Sequence, residues 1–177
     1  MQLTVAPTQT ESSEIILPGD LNALGYLFGG RLVSLIDKVG AISAIKQAKG
    51  TVVTVSIDNL IFKKPVTNGS VLTIRASVNR VFSHSMEVGV VATTLPPGEE
   101  QEQHVCTAYL TYVAIDKSGK PREILPVVPE TAVEKRRFDQ ALIRRNHRLS
   151  LAAQLAQSAP AAAPASPKPK SGKRKTK

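Results

Sequence analysis

Tryptophan is absent from this chain of 177 residues, cysteine occurs once, and Tyr and Phe together supply only seven rings. The single Cys106 excludes an intramolecular disulfide and points to a reducing compartment. Within Val105-Cys106-Thr107-Ala108-Tyr109 it reads as a small buried hydrophobe of a strand. So few rings, with no basic-aromatic stripe, argue against nucleic acid held by stacking. His84, His104 and His147 have no ligating partner at i+3 or i+4, and no cysteine pair exists, so the pattern supports no metal site. Asp20-x-Asn22-x-x-Gly25 has the opening of a calcium loop, but Leu24 and Arg31 stand where oxygen ligands are required. No Gly-x-Ser-x-Gly and no Walker sequence occurs, which removes serine-hydrolase and NTPase readings. No apolar run approaches the length of a membrane span, and Thr8, Gln9, Glu11 and Glu14 occupy the place of a signal peptide's basic and apolar blocks. We expect no membrane association and a cytoplasmic protein.

The formal charge of +9 is unevenly spread. Residues 1–129 carry eleven basic and eleven acidic groups, which cancel; the excess sits in residues 130–150 and in the six basic residues of 168–177. The stretch 158–177 is almost all Ala, Pro, Ser and Lys, a composition that cannot repay the entropy of ordering, and we expect a disordered tail. It can touch anions weakly and in a salt-dependent way, without specific nucleic-acid recognition.

What is present is concentrated in residues 20–37. An Asn, three glycines and a carboxylate surround the start of one helix, expected over Gly29 to Ala48 with Gly50 as its left-handed terminator. Gly29 and Gly30 let backbone N–H groups approach a ligand at the positive end of the helix dipole. At 100° per residue, Leu32, Leu35, Ile36, Val39 and Ile42 form an apolar stripe, while Asp37 shares a face with Ser34, Gly40, Ala41 and Ala44. The helix pattern alone leaves Asp37 open between a site carboxylate approached across small residues and an exposed polar position.

We read residues 1–12 as a flexible start, 13–129 as one folded domain, and 130–151 as a basic helix ahead of the tail. Strands are expected at Glu14–Leu17, Thr51–Ile61, Ser70–Val81, Ser85–Leu95 and His104–Ile115, joined by turns such as Asp116-Lys117-Ser118-Gly119. Consecutive strands through short turns make an antiparallel meander, and a single long helix must bury its stripe on it. The expected class is α+β: an antiparallel sheet wrapped around one central helix.

Asn22-x-x-Gly25-x-x-Phe28-Gly29-Gly30-x6-Asp37, then Phe62-x-x-Pro65-Val66, then Ser85-Met86-Glu87-Val88, resemble in order and spacing the hotdog-fold acyl-coenzyme A thioester hydrolases of the single-domain type. The resemblance runs from about Ser13 to Arg148. It implies hydrolysis of acyl-coenzyme A with Asp37 as general base or nucleophile, Asn22 of a facing subunit holding water or carbonyl, and the oxyanion at the amides of Gly29 and Gly30. It also implies a substrate slot at a dimer interface involving Gly25, Phe28, Ser85 and Met86, six subunits as three dimers, and no cofactor, coenzyme A being part of the substrate. The chain departs from the pattern at Phe82-Ser83-His84, where relatives often carry a basic residue or Thr. There His84 is a candidate donor, and Lys63, Lys64, Arg80 or the arginines of the last helix are candidates for the phosphates. The competing expectation is a non-enzymatic hotdog module that senses or carries acyl-coenzyme A.

Overall fold

The computed structural model describes residues 3–58 and 60–158, so all but the first residue of the expected tail lies outside the described residues. The chain divides into two units, Met1–Ile143 and Arg144–Lys177. The first contains a five-stranded sheet and the helix it encloses.

Helix α1 (Gly29–Ala48) begins where Phe28 leaves extended backbone, and no side chain caps it. It ends on Lys49, which adopts the left-handed conformation at φ 51° and donates its N–H to the Ile45 carbonyl. Gly50, expected in that role, is one position too late.

The sheet comprises β2 (Thr10–Ile15), β3 (Val52–Ile57), β4 (Val71–Phe82), β5 (Ser85–Leu95) and β6 (Gln103–Ala114), in the order β2-β4-β5-β6-β3 with antiparallel neighbours throughout. The expected meander is β4-β5-β6, and α1 is long enough to return the chain to the far edge as β3. Residues 3–15, expected as a flexible start and a shorter strand, instead form β1 (Leu3–Thr4), a 3₁₀ turn at Ala6–Thr8 and β2. The pair formed by β1 with β7 (Val127–Val128) is parallel and only two residues long, too short to leave a periodic signal.

Alternate residues of the three central strands face α1. Leu72, Ile74 and Val78 of β4, Met86, Val88 and Val90 of β5, and Cys106, Leu110 and Tyr112 of β6 are buried with Leu32, Ile36 and Val39 of the helix. The helix face departs from expectation: Ile42 is 45% exposed, whereas Gly40 and Ala44 are buried. The small residues are therefore packing positions, where the sheet comes close. Helix α2 (Ala132–Ser158) runs past the expected end at 151 and starts on a box in which Thr131 Oγ1 accepts the Glu134 N–H and Glu134 Oε2 accepts the N–H groups of Glu130 and Thr131.

Ile36 is fully buried at the middle of this contact, so Ile36→Ala is expected to lower unfolding stability by about 2–5 kcal/mol in urea titrations. Burial also pushes the Cys106 thiol up to about 11. The folded protein should leave an aromatic disulfide reagent unreacted at pH 8 and take up one equivalent on denaturation.

Candidate active site

Asp37 sits two turns into α1 and points at the edge strand β3. Its Oδ1 accepts a hydrogen bond from Thr54 Oγ1 at 2.7 Å and a longer one from the Tyr112 hydroxyl at 3.2 Å. The same Tyr112 hydroxyl lies 2.9 Å from the Asp37 main-chain oxygen. Two hydroxyls thus converge on one carboxylate oxygen, while Oδ2 has no partner among the described residues. Tyr112 is fully buried; desolvation first, then the charge of Asp37, pushes its hydroxyl far above the usual phenol range and keeps it a donor. Thr54 is at a break in register, where β3 carries an extra residue before Ser56 against β6. Neither Thr54 nor Tyr112 stands out in the sequence. Both sit in ordinary strand patterns, and only the helix-sheet contact makes them neighbours of Asp37.

Asn22 organises the loop before the helix. Its Oδ1 accepts the N–H groups of Leu24 and Tyr26, its N–H donates to the Tyr26 carbonyl, and its carbonyl accepts from Gly25, which needs φ +79° to close the turn. That leaves the side-chain NH₂ as the group free to meet a ligand. Asp20 ties the loop to the helix: its carbonyl accepts the Phe28 N–H, and its carboxylate accepts from Arg31, which also reaches Glu14.

Gly29 and Gly30 lie at the uncapped start of α1, so their amides remain open. Phe62 lies over Gly29, and Phe28, 59% exposed, lies beside Gly30. A slot of about 320 Å³ adjoins Gly29, lined by Leu27, Leu32, Phe62, Lys63, Lys64, Pro65, Val66 and Val105. The Phe62-x-x-Pro65-Val66 segment is held to the loop by the Leu27 N–H on the Val66 carbonyl. Two of the expected phosphate ligands, Lys63 and Lys64, are therefore at this slot.

Other expected residues are elsewhere. Met86 is fully buried in the core because its β5 position faces α1. Arg80 stacks on Phe138 at 4.0 Å and donates to its carbonyl, so α2 already holds it. Ser85 is half-buried, with its hydroxyl 3.4 Å from the Phe82 carbonyl. His84 is exposed in the two-residue turn between β4 and β5, where Ser83 takes φ +50°. Arg136 and Arg137 line a separate groove of about 630 Å³ against the outer face of β4 and β5, away from Asp37.

One separation stands out. Seven residues of helix at 1.5 Å each put Asp37 about 10 Å from Gly30 along the axis. Along one helix the Asp37 carboxylate and the helix-start amides are thus set well apart. The β3 edge beside Asp37 exposes Val53, Val55 and Ile57, an apolar strand edge of the kind that pairs with another chain. Among the described residues no cluster of His, Cys, Asp or Glu could hold a metal ion, and no helix is long and apolar enough to cross a membrane.

Residues 24–100 match the model of the thioesterase superfamily. The chain is 37% identical to the acyl-CoA thioester hydrolase YkhA of Bacillus subtilis, a protein still described as uncharacterized, with 75% of this chain and 77% of YkhA aligned. It is 33% identical to acyl-coenzyme A thioesterase 11 of Mus musculus over 80% of its own length and 24% of that protein. The chain spans about a quarter to a third of the length of the mammalian relatives it matches. Among solved structures, an apo-hexameric acyl-CoA thioesterase superposes with TM-score 0.83 at 36% identity, covering 86% of this chain and 99% of that one. An acyl-CoA hydrolase of Staphylococcus aureus, solved with butyryl coenzyme A and coenzyme A, gives TM-score 0.80 at 32% identity over 89% and 98% of the two chains. Structures of the same enzyme carry single alanine replacements of an aspartate, a threonine and an asparagine, the last with coenzyme A bound.

Losing the Asn22 acceptor frees two loop N–H groups, so Asn22→Ala should cost about 1 kcal/mol of stability. Asn22→Asp keeps the acceptor and should unfold within about 0.5 kcal/mol of wild type in thermal melts.

Proposed function

The chain belongs to the thioesterase superfamily, and we propose that it hydrolyses acyl-coenzyme A to a carboxylic acid and coenzyme A at a site shared by two copies. The observation that carries this is the Asp37 carboxylate, with one oxygen held by Thr54 and Tyr112 and the other open, at an unpaired apolar edge. The asparagine, aspartate and threonine replaced in the S. aureus enzyme are separated by 15 and 17 positions, as are Asn22, Asp37 and Thr54.

The chemistry needs little more. Asp37 Oδ2 accepts a proton from a water that attacks the thioester carbonyl, or attacks that carbonyl itself, and water then releases the acid. The negative charge developing on the carbonyl oxygen meets the amides of Gly29 and Gly30 and the NH₂ of Asn22. Coenzyme A leaves as the thiolate and takes up a proton. Because Asp37 lies about 10 Å from Gly30 in its own chain, those donors come from the second copy. Pairing at β3 covers Val53, Val55 and Ile57 and brings the partner's loop to Asp37. Phe28 and Leu24, both exposed on that loop, enter the same interface. Lys63 and Lys64 meet the substrate's phosphates, and a trimer of such dimers accords with hexameric neighbours. We propose that the site uses no cofactor and that the chain works in the cytoplasm, like the cytosolic acyl coenzyme A thioester hydrolase of Mus musculus that it resembles.

Thiol release from a series of acyl-coenzyme A substrates tests this directly. Asp37→Ala should lose at least about 100-fold in kcat with unchanged circular dichroism. Thr54→Val should lose about tenfold. Binding without thiol release by wild type would leave the sensor or carrier reading. Co-expressed Asn22→Ala and Asp37→Ala chains should recover activity that neither shows alone, since a mixed dimer holds one intact site. No recovery in verified mixed dimers would place both groups in one chain.

A further inference from the structure

We infer that Tyr112 is the positioning residue for Asp37 and that Gly40 is required to let it act, an inference that rests on the hydrolase reading above. Tyr112 reaches from the inner face of β6 to the underside of α1, where its one hydroxyl proton is shared between the Asp37 main-chain oxygen at 2.9 Å and Oδ1 at 3.2 Å. A group that holds both the backbone and the carboxylate of one residue fixes the first side-chain torsion between them. Thr54 completes the arrangement on the same oxygen, so Oδ2 is turned outward.

The approach is possible only at a glycine. A Cβ at position 40 would lie 2.5 Å from the Tyr112 hydroxyl oxygen, closer than side chains tolerate, but 3.4 Å and 3.5 Å from the ring carbons. The obstruction falls on the hydroxyl, the atom that holds Asp37. Ordinary core packing does not explain a hydroxyl there, because a phenylalanine would fill the ring's space without a buried polar atom. The small-residue face of α1 thus serves the approach of one side chain from the sheet.

The test compares wild type with Tyr112→Phe, Gly40→Ala and the double variant by steady-state thiol release, with circular dichroism and melting as folding controls. Tyr112→Phe should fold normally and lose about tenfold in kcat, with KM within about twofold, because substrate contacts are untouched while the carboxylate loses one donor. Gly40→Ala should lose as much by displacing the hydroxyl. The double variant should be no worse than Tyr112→Phe, since the added methyl then meets only ring carbons; that non-additivity marks a shared contact. A Tyr112→Phe enzyme with kcat within about twofold of wild type would overturn the inference, as would losses that multiply in the double variant or that appear in KM. Wild type without thiol release would instead overturn the hydrolase reading, and this inference with it.

Discussion

The contact between the small-residue face of α1 and the inner face of the sheet is the constraint on which the rest depends. Gly40 and Ala44 let the central strands approach the helix closely enough for a strand side chain to touch its backbone. Bulkier residues there would push helix and sheet apart toward an ordinary spacing. Leu32, Ile36 and Val39 would still find apolar neighbours, but the Tyr112 hydroxyl would no longer reach Asp37. Packing and site geometry are set by the same few residues. This is why Asp37, Thr54 and Tyr112 stand on rigid elements, while Asn22 lies on a loop that its own hydrogen bonds close.

The second constraint is helical rise. A carboxylate two turns inside a helix stands about 10 Å along the axis from the amides at the helix start. The fold therefore separates the proposed base from the proposed oxyanion donors and leaves an apolar strand edge next to Asp37. Each feature is a liability in an isolated chain, one for chemistry and the other for aggregation. The association through β3 proposed above would remove both, giving the proposed site and the proposed assembly a single physical origin.

Much of this was legible in the residues. The limits of α1, the β4-β5-β6 meander and the placement of Asp37 follow from periodicity and turn chemistry, and the helix wrapped by a sheet follows from one unpaired apolar stripe. The errors have physical reasons. Gly50 is the better left-handed residue by propensity, yet the last helical hydrogen bond falls on the Lys49 N–H. The small residues beside Asp37 do admit a close neighbour, as their pattern suggests, but at Gly40 and Ala44 that neighbour is the sheet. Thr54 and Tyr112 carry no local signal, since their importance arises from contacts 17 and 75 positions away in sequence.

Charge makes the same point about reading by place and not by total. The basic excess lies outside residues 1–129, and arginines of α2 are drawn to a groove on the outer face of the sheet. A substrate rich in phosphate needs cations near the reacting carbonyl, within the reach of one pantetheine arm. Arg80 does not supply one, because its guanidinium is stacked on Phe138. Lys63 and Lys64 are the cations proposed for that role, since the segment that carries them lines the slot at Gly29 and is tied to the Asn22 loop through Leu27 and Val66, with Lys64 also donating to Gln103. Two lysines on a segment with a fixed backbone and long side chains can follow a flexible diphosphate as point charges, whereas an arginine fork would demand one geometry. Two of the eleven basic residues of the neutral body thus stand at the slot beside Gly29, and the net charge of +9, which arises outside residues 1–129, does not depend on them.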